Sequence, residues 1–156
     1  MTDETTSAFD ARRAHWDNLY ATKAPTEVSW YQKIPTSLAL IEATGIGPDA
    51  RIIDVGGGAS NLVDHLLARR FRDITVLDIS EQGLAVAKAR LRTDASRVNW
   101  IVADATEWRP DGEYDLWHDR AAFHFLTEVP EQNSYMDGLR AGVLPGSHAV
   151  ISTFSE

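Results

Sequence analysis

Three aspartates lie at the ends of three short apolar runs in the sequence. Asp54 falls in ARIIDV, Asp78 closes ITVLD and Asp104 closes WIVAD, and the first run leads directly into the glycine turn GGGAS at 56–60. In an open α/β sheet the carboxyl ends of parallel strands meet at one edge, where ligands bind. Carboxylates at that edge can accept hydrogen bonds from the hydroxyl groups of a ligand, so we expect the functional site there.

The glycine turn and Asp78 together favour a ligand that contains a ribose. Gly56 and Gly58 lack a Cβ atom, so their backbone can pass close to a ligand near a helix N-terminus. Asp78 ends the second strand about twenty residues later, where an acid can accept hydrogen bonds from both ribose hydroxyls. Two structural alternatives need no ligand: a tight strand-to-helix turn, and an acid at a helix N-terminus, for which Ser80 is the better cap.

The elements that must position these residues alternate between strands and helices. Apolar runs predict strands near 51–55, 74–78, 98–103, 114–118 and 148–154, and helices near 60–70, 80–92 and from Pro130 onward. An amphipathic helix with Phe9, Trp16, Leu19 and Tyr20 on one face, and a second helix ending at Gly45, precede them. This order predicts one α/β domain with a mainly parallel sheet, divided into an N-terminal helical segment at 1–47 and a core at 48–156.

Composition excludes several classes of function. The 156 residues carry a formal net charge of −8 and no cysteine, which argues against a nucleic-acid partner and removes disulfides and zinc-thiolate sites. No apolar stretch approaches the roughly 20 residues of a transmembrane helix, and the polar, acidic start is unlike a signal peptide. We therefore predict a cytoplasmic protein without a membrane partner. The histidines have no partners at ligand spacing, so no metal site is predicted.

Four stretches resemble the motifs of class I S-adenosylmethionine (SAM)-dependent methyltransferases: DVGGGAS, VLDIS, VADAT and YDLWHDRAAFHFL. The resemblance implies a Rossmann-like doubly wound sheet in the order 3-2-1-4-5, with helices on both faces, and SAM as cofactor with S-adenosylhomocysteine as product. Ser60 replaces a third glycine that is often found in the first motif. The resemblance assigns Asp54, Gly56 and Gly58 to the methionine end, Asp78 to the ribose, and Ile79, Asp104 and the Ala105 backbone to the adenine.

A narrower resemblance concerns the methyl acceptor. The stretch HDRAAFHFL is similar to thiopurine and tellurite-resistance methyltransferases, which favours a small-molecule acceptor such as a thiol or a heavier chalcogen. The upstream HWDNLY and EVSWYQ are also similar to lysine methyltransferases that act on elongation factor, so a protein lysine remains an alternative.

Two readings outside methyl transfer stay open. An NAD(P)-dependent oxidoreductase would share the glycine turn and Asp78, but Asn61 stands where its third glycine belongs and Asp104 would have no task. The other alternative is a non-catalytic cofactor-binding fragment.

The resemblance also implies that the N-terminal segment folds over the cofactor as a lid. Aromatic faces stabilise a sulfonium cation, which makes Trp16, Tyr20, Trp30 and Tyr31 candidates for that contact. Packing of the helix on the sheet is the alternative for Trp16.

Asp119 and His124 follow the fourth strand, opposite the glycine turn, so they are predicted to border the cofactor and the acceptor. Either side chain is a candidate general base for an acceptor that arrives protonated. The structural alternatives are an ion pair between Asp119 and Arg120 and a packing role for His124. Ser60 lies in a glycine turn rather than a G-x-S-x-G elbow, so no Ser-His-Asp arrangement is predicted.

The sequence ends at Glu156, directly after the fifth strand. In the family that the sequence resembles, a helix and an antiparallel hairpin of two strands follow the fifth strand. We therefore expect a truncated form that lacks these elements. An open apolar edge strand can pair with another chain, which predicts a homodimer through that edge.

Overall fold

The computed structural model describes residues 7–24 and 32–155. Two helices precede the first strand: α1 (Ala8–Thr22) and α2 (Ser37–Ala43). The side chain of Ser7 caps α1 by accepting a hydrogen bond of 3.1 Å from the backbone N–H of Asp10. The division into a segment at 1–47 and a core at 48–156 stays a prediction.

A parallel sheet of five strands in the order β3-β2-β1-β4-β5 forms the centre of the described chain. The strands are β1 (Arg51–Val55), β2 (Asp73–Asp78), β3 (Val98–Val102), β4 (Tyr114–Arg120) and β5 (Val143–Ser152). Helices α3 (Leu62–Ala68), α4 (Glu81–Leu91) and α5 (Val129–Gly142) connect them, with short 3₁₀ helices at Arg92–Arg97 and Phe123–Phe125.

Helices cover both faces of this sheet because successive side chains of a strand point to opposite sides. Ile52 of β1 packs in an apolar cluster with side chains of α2, α3 and α4. Its neighbour Ile53 packs in a second cluster on the other face, with Tyr135 and Leu139 of α5. The predicted fold class, strand order and helical layers are thus confirmed.

The fifth strand begins earlier than predicted. Val143 pairs with Tyr114, the register then shifts, and His148 pairs with Leu116. The extra residues between these pairs contain Pro145 and Gly146, the latter with a φ of 94°. A Pro-Gly pair is typical of a turn, which is why the sequence pattern placed the strand start at 148. The structure instead accommodates it as an irregularity within β5.

β5 lies at the edge of the sheet, where Ile151 and Phe154 are exposed. The homodimer through this edge stays a prediction. Among the described residues, no helix has both the length and the apolar character that a membrane crossing needs.

Candidate functional site

A cavity of about 280 Å³ opens at the carboxyl ends of the central strands. Its walls come from α1, from the turns after β1, β2 and β3, and from the segment after β4. Seven of the residues predicted to contact a ligand line it: Trp16, Tyr20, Gly56, Asp78, Ile79, Asp104 and Ala105. Trp30 and Tyr31, predicted for the lid, lie outside the described residues. The roles of all these residues as ligand contacts stay predictions.

The glycine turn is held close to the end of β4. Gly56 has a φ of 71°, and a Cβ atom added there would overlap the Cβ of Ala122. The backbone N–H groups of Gly56 and Gly57 donate to the carbonyl oxygen of Leu77 at 2.7 and 3.2 Å. Glycine is therefore required at 56 both for its backbone conformation and for the close approach of the two segments.

Asp78 is a buried carboxylate on the cavity wall, with 6% of its surface exposed. Its Oδ1 accepts a hydrogen bond of 2.8 Å from the N–H of Ser80. Burial raises the pKa of Asp78 to about 7, against the lowering effect of the N–H groups of Ser80 and Gly58. The negative charges of Asp54 and Asp17 add to the increase. Near neutral pH, Asp78 therefore exchanges between a protonated form and an ionised form that can accept two hydroxyl donors.

Tyr20 of α1 lies over the glycine turn beside Asp78. A Cβ atom added at Gly83 would lie 2.9 Å from its Cε2, and one added at Gly58 would overlap its hydroxyl oxygen. Burial, followed by the charge of Asp78, raises the pKa of the Tyr20 hydroxyl. One helical turn earlier, Asp17 accepts a 2.6 Å hydrogen bond from the hydroxyl of Ser80. These contacts attach α1 to the turn between β2 and α4.

Asp104 also connects the cavity wall to α1. Its Oδ1 accepts hydrogen bonds from the N–H and the hydroxyl of Thr106, at 2.9 and 2.7 Å. Its Oδ2 forms an ion pair with Arg12, which also pairs with Glu131 of α5. The carboxylate predicted to bind adenine is therefore bonded to a side chain of α1 in this structure.

Asp54 lies beneath the glycine turn and does not line the cavity. Its Oδ1 is 2.8 Å from Nδ1 of His118, and Nε2 of the same imidazole is 2.8 Å from the hydroxyl oxygen of Ser37. These residues form a Ser-His-Asp chain on α2, β4 and β1, which the sequence analysis did not identify and which does not include Ser60. All three are buried, with 2–3% of their surface exposed. The chain therefore joins α2 to the sheet rather than presenting a nucleophile.

Asp119 is fully buried and organises the segment after β4. Its oxygens accept hydrogen bonds from the N–H groups of Ala122 and Phe123 at 2.7 and 3.0 Å, and from the hydroxyl of Tyr135. Burial raises its pKa to about 6, although these hydrogen bonds lower it. The structure does not bring Asp119 to the cavity surface. Its predicted catalytic and cofactor-binding roles stay predictions.

His124 lies outside the cavity lining as well. It is exposed, and its ring packs edge-on against Phe125 and Phe154, with ring centroids 5.5 and 4.9 Å apart. This contact agrees with the packing alternative, and a catalytic role for His124 stays a prediction.

Arg120, by contrast, lines the cavity and is not paired with Asp119. Its Nη1 donates a hydrogen bond of 3.0 Å to Oε1 of Gln32. Within residues 7–24 and 32–155, no carboxylate lies within ion-pair distance of its guanidinium group.

Sequence reasoning missed several lining residues, namely Arg12, His15, Phe125, Leu126 and Tyr135. A signal existed for Arg12, because it precedes Trp16 and Tyr20 at intervals of four residues and so shares their face of the helix. No comparable spacing marks Phe125 or Leu126.

Comparison with known proteins adds a family match. Residues 52–146, more than half of the chain, match the family described as "Methyltransferase domain". Nodulation protein S of Sinorhizobium fredii is 25% identical over 107 residues, which cover 69% of this chain and 49% of that protein. The ubiquinone biosynthesis O-methyltransferase of Dechloromonas aromatica is 31% identical over 108 residues, covering 67% of this chain and 44% of that protein. The chain thus spans about half the length of these curated relatives.

A solved structure has the same fold. The DhpI-SAM-HEP complex superposes with a TM-score of 0.75 at 17% sequence identity, covering 97% of this chain and 69% of that chain.

Proposed function

The chain belongs to the methyltransferase-domain family, and on that premise we propose that it transfers a methyl group from SAM to a small-molecule acceptor. The observation that carries the proposal is the meeting of Asp78, Asp104 and Gly56 at one cavity. These residues come from the ends of three strands, in the order expected for the ribose, adenine and methionine parts of one cofactor. A similar fold solved in complex with SAM supports the same cofactor.

The chain's own residues would hold the cofactor as follows. Ionised Asp78 accepts hydrogen bonds from the ribose hydroxyls, and Ile79 packs beside the adenine ring. Asp104 and the backbone of Ala105 bond the polar edge of the adenine. Gly56 lines the cavity without a side chain and would leave room for the methionine end.

The transfer itself is an in-line displacement. With SAM bound, the bond between its methyl carbon and sulfur would break as the acceptor formed a bond to that carbon, and S-adenosylhomocysteine would leave as a neutral thioether. Alignment of the two reactants can supply about 7–11 kcal/mol of the barrier reduction. A base is needed only for an acceptor that arrives protonated.

A soft nucleophile that arrives ionised, such as a thiolate or a heavier chalcogenolate, is our preferred acceptor. Asp119 is fully buried and does not line the cavity, and His124 lies outside the cavity as well. Neither candidate base is therefore available to the acceptor in this arrangement. A protein lysine, which must lose a proton before it attacks, is less favoured for that reason.

Calorimetric titration with S-adenosylhomocysteine tests the cofactor assignment. The Asp78→Ala variant should bind at least about tenfold more weakly than the parent chain, because the ribose hydroxyls lose their acceptor. Asp73→Ala is the matched control: it removes a 44% exposed carboxylate from the other end of the same strand and should leave the affinity unchanged. No binding by the parent, or equal binding by parent and Asp78→Ala, would contradict the proposal.

A further inference from the structure

Arg120 is a half-buried cation on the cavity wall that has no acidic partner among the described residues. A guanidinium group has five N–H donors, and the hydrogen bond to Gln32 uses one of them. Burial lowers the pKa of Arg120, although the charge of Asp54 acts in the opposite direction. A buried charge without a partner is costly. Since no described carboxylate pairs with Arg120, an anionic ligand would stabilise its guanidinium group.

The other arginine that lines the cavity provides a contrast. Arg12 forms ion pairs with both Asp104 and Glu131, so its charge is balanced by the protein itself. Of these two cavity arginines, Arg120 is the one whose donors remain for a ligand.

The position of Arg120 separates it from the predicted nucleotide contacts. Asp78 ends β2 and Arg120 ends β4, and β1 runs between these strands. Neighbouring strands are about 4.8 Å apart, so the two strand ends are separated by about 10 Å. Asp104 follows β3, one strand farther away. Arg120 is therefore on the side of the cavity where the acceptor meets the methyl group, with Phe125 and Leu126 supplying apolar walls nearby.

We propose that Arg120 binds an oxyanion of the methyl acceptor, a carboxylate or a phosphate-type group, so that the acceptor is an organic acid. The inference rests on the proposed function, because it takes the rest of the cavity to be filled by the cofactor. A guanidinium fork holds such a planar or tetrahedral oxyanion with two parallel hydrogen bonds. The acid group then orients the acceptor's nucleophile toward the methyl carbon.

The competing occupant is the carboxylate at the methionine end of the cofactor, and a first experiment separates the two. Parent and Arg120→Gln are titrated with S-adenosylhomocysteine and with 5′-methylthioadenosine, which lacks that carboxylate. We expect S-adenosylhomocysteine to bind the variant within about threefold of the parent. A loss of about tenfold or more, with methylthioadenosine unaffected, would assign Arg120 to the cofactor and overturn the inference, while the proposed function would stand. Failure of the parent to bind S-adenosylhomocysteine contradicts the proposed function itself.

A second experiment probes the acid group directly. Protein saturated with S-adenosylhomocysteine is titrated with benzoate, phenylphosphonate and the neutral benzamide. At least one anion should bind the parent about tenfold more tightly than it binds Arg120→Gln, whereas benzamide should not distinguish the two proteins. Arg140→Gln, which changes an arginine with 70% of its side chain exposed, is the control and should behave as the parent. Equal binding of the anions to parent and Arg120→Gln, or binding of neither anion, would overturn the inference.

If Arg120→Gln does not fold, two further measurements test the inference about Arg120. The parent should by itself prefer an anion over benzamide, and Arg120→Lys, which keeps the charge but loses the fork, should bind that anion with reduced affinity. Absence of the preference, or unchanged affinity in Arg120→Lys, contradicts the inference.

Discussion

Asp78 titrates within the range in which most enzymes work. Burial is the main cause that raises its pKa from an ordinary value of 3.8 to about 7. The protonated carboxyl offers a hydrogen to a neighbour, whereas the ionised carboxylate accepts hydrogens at both oxygens. A ribose diol donates two hydrogens, so the ionised form is the one that suits the proposed cofactor.

We therefore predict that the affinity for S-adenosylhomocysteine rises as pH increases through about 7 and levels off above it. Asp78→Asn, which does not titrate, should bind more weakly and with little dependence on pH. Calorimetric titrations at several pH values between about 5.5 and 8.5 measure both effects. If the affinity of Asp78→Asn still depended on pH, another titrating group would be the cause. Asp119, whose pKa is about 6, is one such group.

The raised pKa of Asp78 affects the stability of the free protein in the opposite direction to its effect on cofactor affinity. Between pH 3.8 and about 7 the folded chain keeps a proton on Asp78 that the unfolded chain releases. The contribution of Asp78 to the free energy of unfolding therefore falls as pH rises through this range. Urea denaturation of parent and Asp78→Asn at both ends of the range provides an independent check on the direction.

At the scale of elements, α1 is attached to the rest of the protein by polar contacts as well as by the packing of Trp16 and Tyr20. It contains no fully buried residue. Its contacts reach three separate elements: Arg12 pairs with Asp104 and Glu131, Asp17 accepts from Ser80, and Arg13 pairs with Glu81. Such a helix should open locally more easily than the strands beneath it.

We predict that Arg12→Met raises the hydrogen-exchange rate of the α1 amides about fivefold or more and leaves β1 unchanged. Arg12 is 24% exposed and bridges two acids, one of them only 5% exposed, so its ion pairs are poorly screened by solvent. Arg13→Met is the matched control, since its partner Glu81 is 67% exposed and such pairs contribute little. Equal exchange rates in the two variants would mean that Arg12 does not hold the helix.

The boundary of an element could be predicted from the sequence where local residues determine it, and not where pairing with another strand does. β1 was predicted at its observed bounds because an apolar run ends at a glycine turn. Ser80 was predicted to begin α4, and its hydroxyl accepts from the N–H of Gly83. The start of β5 was misplaced because its pairing with Tyr114 depends on the neighbouring strand and not on local propensity.

At the scale of the whole molecule, the chain of Ser37, His118 and Asp54 links helix α2 to the two adjacent strands β4 and β1. We predict that His118→Leu lowers the free energy of unfolding by about 2–5 kcal/mol, since it leaves a buried carboxylate and a buried hydroxyl without partners. Urea denaturation at constant m-value measures the loss. Ser37→Ala, which leaves one imidazole nitrogen unpaired, should cost less, about 1–3 kcal/mol.

A loss below about 0.5 kcal/mol for His118→Leu, comparable with an ordinary surface substitution, would show that the chain of hydrogen bonds contributes nothing to stability.

The sequence could not reveal this arrangement. His118 lies 64 positions from Asp54 and 81 from Ser37, so their contact exists only once the sheet has formed and α2 has packed on it. The acids at the strand ends were predictable because the sheet alone brings them to one edge. The ion pair of Arg12 with Asp104 depends on tertiary packing in the same way as the contacts of His118, and so does the lack of an acid partner for Arg120 among residues 7–24 and 32–155.

The position of α1 also bears on when a ligand can enter and leave the cavity. Arg12, Trp16 and Tyr20 form one wall of the cavity, and the two acids behind them, Asp78 and Asp104, are each only 6% exposed. We predict that α1 lifts to admit a ligand that bonds both acids and settles over it afterwards. For the proposed reaction, the opening frequency of α1 is then expected to set the residence time of the spent cofactor, so that release and not chemistry at the methyl carbon limits turnover.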